Sequence, residues 1–245
     1  MAADWFVAVT TAPRKECTLI ECLESIANCG WSPVVFAEPG STSTDCETID
    51  NPQRLGVWHN WLASCRAGVA SGADYVLTAQ DDSLFHPDSR DFIESIDWPE
   101  RAAFVSLYTP KHYTVAKNKT LRPCGVRRVQ TRSLWGACAL VWRRELLASV
   151  IDHRIAKAWA GARPKSGNKA VIQRRRDNPH TIANSDTAIG KICNTMGLGM
   201  WFVDPSPVDH IAKHSTIGHG GNDGRRNAYR IADHSLPLSY QVLGK

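Results

Sequence analysis

The chain reads as an α/β protein, and three observations carry that reading. Short β-branched and aliphatic runs alternate with segments of helical periodicity over the first 80 residues. The run Tyr75-Val76-Leu77-Thr78-Ala79-Gln80 stops at two adjacent carboxylates, Asp81 and Asp82, as a buried strand would whose carboxyl end meets a ligand. At 245 residues the chain can bury a full core as one domain without disulfide or metal staples.

Taken in order, Trp5 to Thr11 is the first strand, broken by Ala12-Pro13-Arg14. Leu19, Ile20, Leu23, Ile26 and Ala27 recur at helical spacing, which predicts an amphipathic helix from Lys15 to Cys29, ended at Gly30. Pro33 to Ala37 is a second strand, followed by the loop Glu38-Pro39-Gly40-Ser41. A polar stretch then leads to a helix from about Leu55 to Ser71, with Trp58, Trp61, Leu62, Cys65 and Val69 on one side. The strand at 75–80 follows and delivers Asp81 and Asp82 into the next loop. Three strands alternating with two helices form a nucleotide-binding α/β half, with right-handed crossovers between parallel strands.

The second half is less regular. Ala102 to Tyr108 reads as a strand and is followed by 25 basic, irregular residues. Leu134 to Trp142 reads as a strand with a small-residue centre, and Arg143 to Ile151 as a short helix. Residues 161–180 set Arg and Lys among Gly, Pro, Ser and Asn, a composition for an exposed loop. Ser185-Asp186 caps a helix from Thr187 to Met196, Trp201-Phe202-Val203 is a last strand, and Asp204 to Gly221 is polar with His210, His214 and His219.

Composition narrows the function classes. An apolar share of 43% and a mean hydropathy of -0.29 belong to a soluble globular protein. No stretch approaches the roughly 20 apolar residues that span a bilayer, and Met1-Ala2-Ala3-Asp4 lacks the form of a signal peptide, so a cytoplasmic protein is expected. The eight cysteines include no Cys-x-x-Cys pair, which argues against a zinc site or a disulfide framework and for structural thiols. Residues 1–100 hold 16 acids against 5 Lys/Arg, whereas residues 101–176 hold 18 Lys/Arg against 2 acids. That asymmetry fits a polyanion facing the middle of the chain, or else a solvated basic surface balanced by the acidic first third.

Asp81 and Asp82 acquire chemical meaning from what else the chain offers. Mg²⁺ and Mn²⁺ take one or two carboxylates plus a substrate's phosphates, and Mn²⁺ also accepts imidazole. Asp186 and His210 extend that set. In sequence order these stretches resemble the glycosyltransferases of the GT-A fold. The residues that carry the resemblance are the opening strand and nucleotide loop Val7 to Arg14 and the turn Asn51-Pro52-Gln53-Arg54-Leu55-Gly56 before a helix holding Asn60. Gln80-Asp81-Asp82 stands in the place of the family's acidic metal motif, and Trp135-Gly136-Ala137-Cys138-Ala139-Leu140 in that of the acceptor-side strand. Asn184-Ser185-Asp186 matches the acidic catalytic motif, and Pro205-Ser206-Pro207-Val208-Asp209-His210-Ile211 the C-terminal segment with a metal-binding His. Two positions depart from the pattern. Gln80 stands where many members have a carboxylate, and Asp186 lacks the acidic neighbour that some inverting members carry.

The resemblance implies a single GT-A-like domain over 1–245, with a mixed central sheet. Residues 1–100 would be a Rossmann-like half for a nucleotide diphosphate sugar, with a UDP-sugar favoured, and 101–245 an acceptor half with the basic loop near 161–180. Mn²⁺ or Mg²⁺ would sit on Asp82 and His210, Asp81 would turn to the donor, and Asp186 would be the base of an inverting transfer. Thr10, Thr11, Arg14, Arg54 and Asn60 are the candidates for holding base, ribose and phosphates, although Arg54 reads equally as a surface charge. Trp135 and Gly136 would lie near the acceptor.

The resemblance extends to bacteriophage members that glycosylate hydroxymethylated pyrimidines such as hydroxymethylcytosine, which implies DNA modification in a host cytoplasm. Double-stranded DNA would then meet the basic block through Arg127, Arg128, Arg132, Arg174, Arg175 and Arg176, and a stacked base would have to be flipped to react. A glycan, lipid-linked or protein acceptor is the alternative. Outside this class, a metal-dependent nuclease would use Asp81, Asp82, Asp186 and His210, and a non-catalytic DNA-binding module would need the basic block alone.

Overall fold

The computed structural model describes residues 3–115, 123–129, 134–158, 185–211 and 228–244. Its first half follows the expected alternation, except that α1 begins at Leu19 rather than Lys15 and a short strand, β3, lies in the stretch expected as polar: β1 (Trp5–Thr11), α1 (Leu19–Asn28), β2 (Pro33–Ala37), β3 (Thr48–Asp50), α2 (Gly56–Ala70) and β4 (Tyr75–Gln80). Then come β5 (Ser83–Phe85), α3 (Ser89–Ser95), β6 (Ala102–Ser106), α4 (Lys111–Thr114), β7 (Gly125–Arg128), β8 (Ala139–Arg143), α5 (Arg144–Asp152) and α6 (Arg154–Ala158). The last described elements are α7 (Ser185–Thr195), β9 (Gly199–Asp204), β10 (Val208–His210) and α8 (Leu238–Leu243).

Eight strands form one mixed sheet in the order β3-β2-β1-β4-β8-β6-β9-β7. β3, β2, β1 and β4 run parallel, and β8 enters antiparallel between β4 and β6. Chain order reverses between β1 and β4, so the carboxyl ends of these two strands flank a switch point where open α/β sheets leave a crevice. β5 and β10 make a separate antiparallel pair, beyond the end of β4.

Both faces of the sheet are covered, so its central strands are apolar on both sides. On one face Val7, Val9, Val35, Leu77, Val105 and Val141 pack with Leu23 and Ile26 of α1, Phe92 and Ile93 of α3, and Leu238 and Val242 of α8. On the other, Val76, Phe104, Leu140, Trp142 and Phe202 meet Trp58, Trp61 and Cys65 of α2, Leu147 of α5 and Ile189 of α7. The alternation along β4, Val76 to one side and Leu77 to the other, is the period-two geometry of a strand. Ile20 and Ala27 lie on the exposed side of α1, off the stripe through Leu19, Cys22, Leu23 and Ile26.

The segment expected as a strand over Leu134 to Trp142 is extended only from Ala139; Gly136 takes φ +74, which no strand accommodates. The expected strand 102–108 ends at Ser106, and Tyr108 instead bridges Val208. The stretch after Asp204, expected as a polar tail, contains β10. All eight cysteines are free thiols, five of them buried. No described helix is long and apolar enough to cross a membrane.

Candidate functional site

The site begins with β4. Pairing with β1 along its full length holds β4 flat and buried, and the Asp81 backbone N–H continues that pairing to the Thr10 carbonyl at 3.2 Å. Asp81 and Asp82 therefore emerge at the carboxyl end of the sheet, beside the end of β1, and both are buried. Thr11 Oγ1 donates to Asp81 Oδ2 at 2.6 Å. Arg14, in the loop after β1, donates from Nε to Asp81 Oδ1 at 2.9 Å and from Nη2 to Asp82 Oδ2 at 2.7 Å, while Nη2 also closes on Asp81 Oδ1.

The other half of the chain supplies His210. β10 pairs with β5 so that His210 stands opposite Ser83, and Ile211 N–H donates to the Asp82 carbonyl at 2.9 Å. This register sets His210 Nε2 3.1 Å from Asp82 Oδ2. Burial works against ionisation of Asp82, but His210 and Arg14 outweigh it and hold the carboxyl below the usual carboxylate range. Burial dominates at Asp81 and pushes it above that range, against the pull of Arg14 and Thr11. Arg14, despite its own burial, is held firmly protonated by the two acids.

Two buried polar atoms in this cluster have no hydrogen-bond partner among the described residues: Asp82 Oδ1 and His210 Nδ1. An orphaned carboxylate oxygen is costly, and a cation relieves it. No group of three or more His, Cys, Asp or Glu that could hold a metal ion gathers among the described residues. Asp82 and His210 are thus a two-residue donor set, which fits Mg²⁺ or Mn²⁺ when substrate phosphates complete the coordination.

A second arm of the site reaches Asp186. The Cys138 carbonyl accepts both the Gln80 N–H at 2.8 Å and the Ser83 hydroxyl at 3.1 Å, which ties the segment before β8 to the acidic turn. Just upstream, Gly136 N–H and Ala137 N–H donate to Asp186 Oδ2 and Oδ1 at 2.8 and 3.0 Å. Asp186, in the first turn of α7, thereby bridges that helix to the loop. The buried ring of Tyr108 lies directly beneath Gly136 and 6.3 Å from the His210 ring, joining the two arms. Trp135 is 52% exposed, with its edge against His112 and its backbone N–H donating to the Tyr113 hydroxyl at 2.7 Å.

The structure gathers Thr11, Arg14, Asp81, Asp82 and His210 into one cluster and sets Gly136 and Asp186 in contact beside it. Thr10 is half-buried at the end of β1, its hydroxyl directed to the Ala79 carbonyl at 3.3 Å. Asn60 is buried and uses its amide on the Phe36 carbonyl and on Asn51, both at 3.0 Å, so it fastens α2 to β2. Arg54 is exposed before α2. Arg127 turns its guanidinium to the Pro123 and Cys124 carbonyls, and Arg128 is exposed on the edge strand β7. Arg132, Arg174, Arg175, Arg176, the loop 161–180, His214 and His219 lie outside the described residues.

Sequence reasoning missed Glu38 and Tyr108. Glu38 is buried and accepts N–H bonds from Leu55 and Gly56 at 2.9 Å each, closing the N-terminus of α2. The signal was a missing one: Leu55 cannot cap a helix with its side chain, so the cap had to come from elsewhere. Tyr108 gave no signal beyond its place at the end of an apolar run. The sequence matches no protein-family model and no curated protein.

Proposed function

We propose that this protein is a metal-dependent glycosyltransferase of GT-A type that moves a sugar from a nucleotide diphosphate sugar to an acceptor hydroxyl. One observation carries the reading: Asp82 and His210, from opposite halves of the chain, meet at 3.1 Å at the carboxyl end of β4 while Asp82 Oδ1 has no partner among the described residues. The switch point between β1 and β4 supports it, because open α/β sheets bind their ligands in the crevice at such a point.

Asp82 and His210 would hold the Mn²⁺ or Mg²⁺, with Asp81, Thr11 and Arg14 facing the donor. A divalent ion there would neutralise charge developing on the departing nucleoside diphosphate. Asp186 would take the proton of the acceptor hydroxyl as its oxygen attacks the anomeric carbon, in an inverting transfer. The two backbone N–H donors on Asp186 fix its orientation beside the loop that carries Trp135. Trp135 at the rim is suited to the acceptor side, where an exposed ring can stack against a planar or sugar face.

For the acceptor we propose double-stranded DNA carrying hydroxymethylated pyrimidines, which rests on the 18 Lys/Arg against 2 acids in residues 101–176. The activity is tested by thermal stabilisation across UDP, GDP, CDP and dTDP with Mn²⁺, repeated in Asp82→Ala. One diphosphate should raise the midpoint in the native chain and none should in the variant, because a ligand that binds only the folded state must stabilise it. Stabilisation by none of them overturns the reading. Labelled sugar transfer to hydroxymethylated duplex DNA tests the acceptor, and no transfer from any common nucleotide sugar overturns that part.

A further inference from the structure

Arg14 occupies an unusual place for a residue expected to hold phosphates. Its guanidinium is nearly buried, and it lies across both acids rather than pointing toward an open crevice. Asp81 is satisfied by Arg14 and Thr11 together. Asp82 Oδ2 already takes Arg14 at 2.7 Å and His210 at 3.1 Å, which leaves Oδ1 as its one oxygen unpartnered among the described residues. The pair of carboxylates thus has a resident cation of its own.

A divalent ion held by Asp82 and His210 would bring two positive charges close to the guanidinium that already rests on the same carboxylate. At that range, out of water, like charges repel strongly. The repulsion is relieved when Arg14 leaves the acids, and a buried guanidinium leaves only for another anion. A diphosphate beside the metal is such an anion, since the planar fork of Arg matches phosphate oxygens as well as it matches carboxylate.

Resting on the metal-dependent reading above, we propose that Arg14 is a resident counter-cation that makes divalent-metal binding conditional on a nucleoside diphosphate. In the free protein it holds Asp81 and Asp82 together and keeps the metal affinity low. When the diphosphate arrives, Arg14 transfers to its phosphates and Asp82 is released to the metal. Metal and nucleotide then bind as a unit, and each raises the affinity of the other by the same factor.

The test is Mn²⁺ binding to the whole chain, read by the loss of the free-ion EPR signal, without nucleotide and with UDP, GDP, CDP or dTDP in turn. Native protein should bind Mn²⁺ alone weakly and gain about tenfold or more with the matching diphosphate, inside the usual range of site coupling. Arg14→Gln should bind Mn²⁺ alone about tenfold more tightly than the native chain and keep less than about threefold of coupling. Arg14→Lys, which keeps the charge, should bind Mn²⁺ alone as weakly as the native chain.

Arg14→Gln with native Mn²⁺ affinity, while nucleotides still bind, overturns the role of Arg14 and leaves the glycosyltransferase reading standing. Arg14→Lys as tight as Arg14→Gln also overturns it, because charge would then not be the cause. Mn²⁺ tightened in Arg14→Gln with no effect of any diphosphate on any form overturns the coupling and the nucleotide-sugar reading together. Should Arg14→Gln fail to fold by circular dichroism, the native protein decides: less than twofold coupling between Mn²⁺ and a diphosphate that binds overturns the proposal.

Discussion

Gly136→Ala is the substitution that most directly probes how the two arms of the site are joined. A Cβ at Gly136 would lie 2.4 and 2.6 Å from two carbons of the Tyr108 ring, and the residue has φ +74. Gly72 provides the reference, because it has φ +81 and nothing within 4 Å of its own Cβ position. A left-handed conformation costs a non-glycine residue ~1–2 kcal/mol. Alanine recovers ~0.4–1 kcal/mol of that through a less flexible unfolded chain. Gly72→Ala should therefore destabilise by about 0.5–1 kcal/mol. At Gly136 the ring adds the overpacking cost of ~1–3 kcal/mol, for a total of about 2–4 kcal/mol. Urea unfolding, with coincident transitions by fluorescence and circular dichroism, measures both variants. A cycle with Tyr108→Leu should show a coupling of at least about 1 kcal/mol, since neighbours in contact do not add. Gly136→Ala no more costly than Gly72→Ala, or a coupling near zero, would refute the claim that Tyr108 closes the space beneath the loop.

Three further outcomes follow from the same structure. Glu38→Ala should destabilise by about 1–3 kcal/mol in urea, because Leu55 and Gly56 lose a charged acceptor at the start of α2; a change below about 0.5 kcal/mol would show that water replaces it. His112 is exposed on one side and packed against Tyr113 and Trp135 on the other, and that partial burial holds its imidazole below the usual 6.5. The unfolded chain therefore binds its proton at higher pH than the folded one, so His112 destabilises progressively as pH falls through 6.5 toward its folded value. An NMR titration should place its midpoint below 6.5, and a midpoint above would contradict the packing. Arg230→Ala should cost toward the lower end of the ~3–5 kcal/mol of a broken buried pair, since Asp204 is fully buried and Arg230 is partly exposed. A melting temperature unchanged in that variant would show that Asp204 finds another partner.

The first half of the fold was readable because its strands and helices are long enough to show a period. β1, β2, β4 and α2 lie where the apolar spacing put them, and α1 does so from Leu19 onward, its expected first turn from Lys15 being irregular. The site was half readable by the same measure: Asp81 and Asp82 announce themselves at the end of an apolar run, whereas their partners are set by pairing over long sequence distance. β5 and β10 have three residues each, too short for a periodic signal, and their pairing is what brings His210 to Asp82. Asn60 shows the opposite limit. A polar residue inside a helix before a nucleotide crevice looks like a ligand contact, yet it is buried and spent on the Phe36 carbonyl and Asn51. Amino-acid type could not separate the two uses, because the geometry that decides lies in how α2 crosses β2.

The register of β10 explains why a three-residue strand can hold His210 against Asp82. Side chains alternate along a strand, so a slip of one residue would turn His210 away and present Asp209 to Asp82, two acids face to face. Several independent contacts forbid the slip. Val208 is fully buried in the core, with its N–H on the Leu107 carbonyl at 3.1 Å. Asp209, turned the other way, accepts the Ala228 N–H at 2.9 Å. On either flank, His86 N–H donates to the Pro207 carbonyl at 2.8 Å and Ile211 N–H to the Asp82 carbonyl at 2.9 Å. His86 is itself fixed from the C-terminal segment. Its Nδ1 accepts from the Asp88 N–H at 3.1 Å, which leaves the proton on Nε2 to face the Asp233 and Leu236 carbonyls at 3.1 and 3.2 Å. Residues 228–244 thus brace the strand that presents His210. Loosening α8 should weaken the Mn²⁺ binding proposed for Asp82 and His210, read as a higher Mn²⁺ concentration at half-saturation, even though no residue of α8 contacts either side chain.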